Sequence, residues 1–296
     1  MSKSRPAGAR RTRPPLLAAL AVAVALAGAR AAAAHDLWIE PSGFAPAAGG
    51  RISVKLRIGQ QFEGDPMPRD PERIVRFAAI GPAGEAPIPG VPGTDPAGYL
   101  LPAAPGLYQL VYRSNQDTVE LDAGKFEKYL AEEGLEKVLA LRARRRESAA
   151  PAREIFSRCA KSILLVGGEG GRAGGAPGPG RYDQVLGLPL ELVPDRDPYA
   201  LGAGMELPVT LLFGGRPLAG AKVTAIPKGH AAEQVSARTD ARGKARLPLG
   251  RGGPWLIKSV HMQPAPAASG AQWESWWASL TFELRGPERA VPAARP

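Results

Sequence analysis

Residues 51–58 of the chain read RISVKLRI, a run in which apolar and polar side chains alternate. Because successive side chains of a β-strand point to opposite faces, a period of two places the apolar set on one face. The run therefore predicts a strand that is buried on one side. Its apolar residues are Ile52, Val54, Leu56 and Ile58.

Similar short apolar runs recur along the chain, separated by stretches rich in glycine and proline. The sequence contains 36 glycines and 31 prolines. This pattern is typical of an all-β chain with many turns, and the Pro- and Gly-rich stretch 81–105 is predicted to be turns and loop. Further strands are predicted at residues 73–80, 106–113, 154–166, 185–193, 206–213, 218–226, 244–249, 253–262 and 277–284.

Residues 121–147 have a different pattern. Phe126 and Tyr129 begin a series of apolar residues at helical spacing, with charged residues between them. The spacing predicts one or two amphipathic helices, broken near Gly134. The basic end, Arg142 to Arg146, suits a helix C-terminus and indicates a solvated helix end rather than a nucleic-acid site.

The N-terminus has the features of a secretory signal peptide. Residues 1–14 are basic, residues 15–29 are apolar or small, and a run of alanines ends at Ala34. We expect cleavage after Ala34, export to the periplasm and His35 as the first mature residue. The alternative is an uncleaved anchor, although the apolar run is shorter than the ~20 residues of a membrane span, and no later run is long enough.

The charge and cysteine content exclude some classes of protein. The leader holds six basic residues and no acid, so its removal lowers the formal net charge from +10 by six, to +4. A nucleic-acid partner is therefore not expected. The single cysteine, Cys159, rules out a disulfide within the chain. Its apolar surroundings predict a buried, unreactive thiol.

The mature chain is predicted to be mainly β, with two β-sandwich domains of the immunoglobulin or prealbumin type and a short helical insertion in the first. The predicted segments are a signal peptide at 1–34, a first domain at 35–200 with the helical insertion at about 121–147 and a flexible glycine-rich loop at 167–180, a second domain at 201–286, and a disordered tail at 287–296.

Two short motifs in the second half carry a resemblance. Residues 215–223 read GRPLAGAKV and residues 239–243 read TDARG. With the strands around them, residues 206–262 resemble the transthyretin-like and Cna-B-like sandwich modules. The resemblance implies a structural or binding domain.

A second resemblance covers nearly the whole mature chain. It is carried by AHDLWIEP at 34–41, KFEKYLAEEGL at 125–135, IKSVHM at 257–262 and WESWWASLTF at 273–282. These segments resemble periplasmic proteins associated with nickel and cobalt uptake, many of which carry only a domain-of-unknown-function label. The resemblance implies a substrate-binding or accessory component of an ABC-type metal transporter, with the transporter's membrane components as partners.

The histidines His35, His230 and His261 are the candidate metal-binding groups. A mature N-terminal His35 would offer its α-amine and imidazole as two nitrogen ligands, which suit Ni²⁺ or Co²⁺, with Cu²⁺ as an alternative. Asp36 and Glu40 add oxygen donors, and His261 would complete the site if it lies close to His35. Alternatively, the terminus is disordered and His261 is an ordinary surface residue. His230 is predicted to lie in a surface turn.

The tryptophans Trp273, Trp276 and Trp277 are predicted to pack in a core, with an exposed partner surface as the alternative. The chain has no G-x-S-x-G, P-loop, H-E-x-x-H or C-x-x-C motif. An enzyme is therefore not expected. The main hypothesis is a periplasmic metal-binding protein. The alternatives are a structural or protein- or glycan-binding sandwich without metal and, as a third, a hydrolase.

Overall fold

The structure, a computed structural model, describes residues 35–167 and 181–284. The predicted signal peptide and the predicted tail lie outside these residues, as does nearly all of the glycine-rich loop. In chain order the strands are β1 (Asp36–Pro41), β2 (Ile52–Gln60), β3 (Glu63–Met67), β4 (Ile74–Gly81), β5 (Gly84–Pro87), β6 (Gly98–Leu100), β7 (Gly106–Ser114), β8 (Asp117–Leu121), β9 (Ala152–Val166), β10 (Leu190–Pro194), β11 (Met205–Phe213), β12 (Arg216–Pro217), β13 (Lys222–Pro227), β14 (Val235–Arg238), β15 (Lys244–Leu249), β16 (Gly253–Pro264) and β17 (Trp273–Leu284). Two helices, α1 (Ala123–Glu132) and α2 (Glu136–Arg145), lie between β8 and β9.

A nine-stranded central sheet forms the middle layer of the fold. Its order is β14-β13-β16-β17-β9-β7-β4-β5, and β8 also pairs with β9. The 15-residue strand β9 pairs with β7 and β8 along one edge and with β17 along the other. The β9–β17 pairing is parallel, and the other pairings in this sheet are antiparallel.

Smaller layers cover both faces of the central sheet. One face carries a sheet of β1, β2, β3 and β6 together with α1 and α2, and the other carries a sheet of β10, β11, β12 and β15. Side chains of β9 alternate between the two cores. Leu164 packs in the same core as Ile39 of β1, whereas Ile163 packs with Val209 of β11. The predicted mainly β, sandwich-like fold class is confirmed.

The predicted strands are found, with differences in extent. The strand predicted at 218–226 begins only at Lys222. Strand β10 begins at Leu190 and not at Val185, because the Glu191 carboxylate accepts the backbone N–H groups of Leu186 and Leu188. The stretch 81–105, predicted to be loop, contains the short strands β5 and β6.

The helical insertion is confirmed as two helices that meet at Gly134. This residue has a φ of +69°, a conformation that favours glycine. A β-carbon there would lie 2.9 Å from Cβ of Lys222 and 3.0 Å from a guanidinium nitrogen of Arg238. Neither helix of the described residues has the length and hydropathy of a membrane span.

The predicted boundary between two domains at residue 200 stays a prediction. Backbone pairing crosses it twice, because β9 pairs with β17 and β10 pairs with β11. The burial predicted for Cys159 is confirmed, and burial raises the pKa of its thiol to about 11. The thiol is therefore protonated at neutral pH.

A buried ion pair joins the central sheet to the β10 layer. Lys161 of β9 donates to the Glu191 carboxylate at 3.0 Å, and both side chains are 1% exposed. Burial lowers the pKa of Lys161, while the charge of Glu191 opposes this shift. The pair holds β10 and the segment before it against β9.

We predict that Glu191→Ala lowers the free energy of unfolding by about 3–5 kcal/mol, because it leaves the Lys161 ammonium buried without its counter-charge. Urea unfolding measures this loss. The double variant Lys161→Met with Glu191→Gln has no unpaired charge and should recover part of it. Arg246→Ala, which breaks an exposed pair with Glu206, is the control and should unfold as the wild type does. Equal stability of Glu191→Ala and the control would contradict the prediction.

Candidate functional site

One row of β1 side chains meets the strands β13 and β16 of the central sheet. Asp36, Trp38 and Glu40 are two residues apart and therefore point to the same side of β1. Trp38 is buried against Ile226 and Leu256, and a polar contact flanks it at each end. The predicted ligands Asp36 and Glu40 are therefore ordered side chains with defined partners.

Asp36 forms a buried ion cluster with Lys258 of β16 and Glu133 at the end of α1. The Lys258 ammonium lies 2.9 Å from both carboxylate oxygens of Asp36 and 2.7 Å from Glu133. Burial alone would lower the pKa of Lys258, but the charges of Asp36 and Glu133 raise it above its ordinary value. Burial and the charge of Asp36 raise the pKa of Glu133.

A polar pocket of about 270 Å³ opens above this cluster. The three N–H groups of Lys258 are matched by its three carboxylate contacts, so the ammonium is already satisfied. The cluster therefore ties α1 and β1 to β16 and leaves Asp36 little capacity to bind a metal ion.

Glu40 at the other end of β1 is also held by cations. Its carboxylate accepts from Lys228 at 2.6 Å and lies 3.6 Å from Arg57. Although burial opposes ionisation, the hydrogen bond and the charge of Lys228 lower the pKa of Glu40. This carboxylate ties β1 to the turn that follows β13.

His35 lies immediately before β1, on the face of the central sheet that the β1 layer covers. Its carbonyl oxygen lies 3.5 Å from an Arg158 guanidinium nitrogen. Burial and the charge of Arg158 lower the pKa of its imidazole, while the charge of Asp65 on β3 opposes that shift. The lowered pKa favours the neutral imidazole at pH 7.

His261 lies on the opposite face of the central sheet. Its ring centroid is 4.4 Å from Phe213 of β11 and 6.0 Å from Trp276, on which it stacks. Burial, and then the charge of Lys137, lower the pKa of this imidazole. Since side chains alternate along β16, the residue three positions before it, Lys258, faces the β1 layer instead.

The structure does not bring the four predicted metal ligands together. Asp36 and Glu40 bind lysines, and His35 and His261 lie on opposite faces of the central sheet. Within residues 35–167 and 181–284, no group of three or more His, Cys, Asp or Glu side chains is placed to hold a metal ion. His230 lies in a turn beside Glu233 with its side chain about half exposed, as predicted.

The tryptophan cluster divides between the two faces of β17. Trp273 and Trp277 are buried beneath the helices, in the core with Phe126 and Tyr129. Trp276 points to the other face, where it is only partly buried. Its ring centroid lies 4.7 Å from that of Phe213. Core packing is therefore confirmed for two of the three tryptophans.

Sequence reasoning missed several buried charged groups. Glu133 follows Glu132 in a charged helix and reads as a surface residue, yet it is largely buried. Lys258 is the single charge inside the apolar strand β16, and that isolation was the available signal, whereas Glu154 directly follows Arg153 and gives no such signal. A charge in a strand covered on both faces needs a partner from another layer.

A mainly apolar groove of about 110 Å³ opens between the start of α2 and the turn that joins β12 to β13. We call it the α2 groove. His261 lines one end and connects it to the aromatic cluster of Phe213 and Trp276. The groove lies where β13 has stopped pairing with β16, since that pairing ends at Lys258. Its lining residues are Gly134, Leu135, Glu136, Lys137, Val138, Leu218, Ala219, Gly220, Ala221, Lys222, Arg238, Val260, His261 and Met262.

Residues 32–263 match the sequence profile of a family described as Domain of unknown function (DUF4198). No curated protein matches the sequence. Two solved structures resemble the chain. The D0-D1 domain of Intimin is 12% identical, and the match covers 83% of this chain and 97% of that one. A tetra-tandem repeat in the extending region of a large adhesion protein is 13% identical, and the match covers 84% of this chain and 49% of that one. Both have a TM-score of 0.19, so the fold described above rests on the strand pairing of this chain. The nickel and cobalt association and the transthyretin-like module stay predictions.

We predict that Lys258→Met destabilises the protein by about 3–5 kcal/mol at pH 8, because two buried carboxylates then face each other without a cation. The loss should be smaller at pH 5, because the pKa of Glu133 is already raised and removal of the Lys258 charge raises it further, which favours the protonated carboxyl at the lower pH. Urea unfolding at the two pH values measures both effects. Lys228→Met, which removes a partly exposed cation from Glu40, is the control and should cost less. A loss that does not depend on pH would contradict this reading of the cluster.

Proposed function

The chain belongs to the DUF4198 family, and we propose that it is an exported binding module that holds a protein partner at the α2 groove. The observation that carries the proposal is the groove itself, an apolar opening beside a partly exposed aromatic cluster. In this proposal the protein recognises its partner without catalysing a reaction, and the predicted signal peptide places it in the periplasm.

The size of the groove favours a protein partner. Pockets for drug-sized molecules are typically about 300–1,000 Å³, whereas this groove has about 110 Å³. That volume suits one apolar side chain of a partner. Leu218, Val138 and Val260 supply the apolar walls against which such a side chain would be buried.

Phe213, His261 and Trp276 extend the surface beyond the groove. The three rings are in mutual contact, with centroids 4.4 to 6.0 Å apart, and each is partly exposed. Tryptophan is enriched among residues that dominate binding energy, because it buries a large rigid area. Together with the groove, the cluster forms a larger apolar surface than either feature alone.

The charged rim indicates the chemistry of the partner. Lys137, Lys222 and Arg238 line the groove together with one acid, Glu136. Arg238 is already paired with Glu136, and Lys222 donates to the backbone oxygen of Glu132. The excess of basic groups favours a partner segment with an apolar anchor flanked by acidic residues.

We predict that Ala219→Trp abolishes partner capture, because the exposed Ala219 lies at the mouth of the groove and a large ring there fills it. The immobilised mature chain is incubated with a periplasmic extract, and the retained proteins are quantified by mass spectrometry. A specific partner should be enriched on the wild type and lost at least tenfold on the variant. Ala241→Trp, at an exposed alanine in another turn, is the matched control and should retain it. If the wild type and both variants retain the same proteins, the proposal is wrong. It is also wrong if the wild type captures no protein but binds to a glycan array.

A second candidate function is Ni²⁺ or Co²⁺ binding at the mature N-terminus, as an accessory protein of metal uptake. The observation that favours it is the His35 imidazole at the predicted cleavage site, whose pKa is lowered by burial and on which the charge of Asp65 acts. After cleavage the α-amine, the imidazole and the Asp65 carboxylate would supply two nitrogen donors and one oxygen donor, a set that suits Ni²⁺, Co²⁺ or Cu²⁺. His261, Asp36 and Glu40 do not enter this version of the site, and the metal would be cargo for a membrane transporter.

For this second candidate we predict that the chain beginning at His35 binds NiCl₂ stoichiometrically in calorimetry. A Gly-Ser extension before His35 blocks chelation by the amine and should weaken binding at least tenfold, as should Asp65→Asn. Asp183→Asn is the matched control, since this carboxylate pairs with Arg181 far along the chain. Equal binding by the extended and unextended chains would contradict a role for the amine.

A further inference from the structure

Glu154 of β9 lies beneath α1 with no exposed surface. Its Oε1 accepts hydrogen bonds from the hydroxyls of Tyr129 on α1, at 3.2 Å, and Ser275 on β17. Its Oε2 is buried and has no hydrogen-bond partner among the described residues. One half of this carboxyl group is therefore unsatisfied in the core.

The groups around Glu154 are aromatic and hydroxylic. Tyr129 stacks on Trp277 with ring centroids 5.4 Å apart, and the Trp277 indole donates to the Ser275 hydroxyl. Trp273, in the same core, has a buried indole nitrogen that lacks a partner among the described residues. This layer stabilises a neutral carboxylic acid better than a carboxylate.

Charged side chains on the elements that pack around Glu154 bind other partners, or influence Glu154 and Tyr129 through their charge. On α2, Arg142 lies over the Phe126 ring and binds Glu127, and Arg145 lies over the Trp273 ring. On α1, the charge of Glu133 disfavours ionisation of Tyr129. On β9, Arg158 lies over the Phe156 ring, and its charge lowers the pKa of Glu154.

We propose that Glu154 makes the docking of the α1–α2 hairpin on the central sheet dependent on pH. The hairpin is held tightly while the carboxyl carries its proton. When the carboxyl ionises, the hairpin opens more often, because opening lets water reach the carboxylate. The Tyr129 hydroxyl couples the ionisation of Glu154 to the docking of the hairpin, since Tyr129 belongs to α1 and donates to Glu154.

The direction of the effect follows from the proton balance. Burial raises the pKa of Glu154 from 4.5 to about 7, against the hydrogen bonds of Ser275 and Tyr129 that lower it. Below the ordinary pKa both docked and open forms are protonated, and docking has its full strength. As the pH rises towards about 7 the open form loses its proton first, so docking weakens and then levels off above that value.

Hydrogen exchange with mass spectrometry on the full mature chain tests this proposal at pH 5.5 and pH 8.0, with rates corrected for intrinsic exchange. The opening constant of peptides from 123–145 should rise about 30-fold between these pH values in the wild type. Glu154→Gln has nearly the shape of the protonated acid, so it should fold and show no such rise. Peptides from β11 serve as the internal control and should not change.

A second variant keeps the test decisive if Glu154→Gln is unstable. Tyr129→Phe removes a hydrogen bond that lowers the pKa of Glu154, so the midpoint of the opening transition should move to higher pH. An unchanged opening constant in the wild type overturns the proposal. The same pH dependence in Glu154→Gln, or an unshifted midpoint in Tyr129→Phe, overturns it equally.

Discussion

The parallel pairing of β9 with β17 is the constraint on which the rest of the fold depends. It runs from Glu154 opposite Trp273 to Ser162 opposite Thr281. Parallel neighbours need a long crossover connection, and here the connection contains β10 to β16. The crossover supplies both the β10–β11 layer on one face and the strands that extend the central sheet. The two halves of the chain therefore share a sheet, whatever each half would form alone.

Because β9 is covered on both faces, its polar side chains must find partners inside the molecule. Glu154, Arg158 and Lys161 lie within eight residues of one another and are almost fully buried. Each contacts a different layer. Glu154 meets α1, Arg158 reaches the carbonyl of His35 before β1, and Lys161 binds Glu191 of β10. Buried polar contacts thus fix the position of each covering layer against one strand, in addition to apolar packing.

The same geometry explains why the predicted metal site was not assembled as expected. The histidines and the acidic residues near the chain start were readable from the sequence, and so was the strand that begins there. Their partners were not readable, because Asp36 meets Lys258 from a distant strand. The side of β16 on which His261 lies follows from alternation once Lys258 is known to face β1. The α2 groove was equally hidden, since its walls come from α2, β16 and the turn before β13.

The sequence by itself determined the elements whose signal is local. The alternation in RISVKLRI, the helical spacing before Gly134 and the TDARG turn each depend on neighbouring residues, and the structure contains all three. Only the tertiary structure decided which layer covers each apolar face and whether a charge such as Glu133 is exposed. Short strands such as β3 and β5 also required it, because their residues are largely exposed and a neighbouring strand orders them. The physical reason is that periodicity reports the apolar side of an element, whereas its partner comes from a part of the chain that no local pattern specifies.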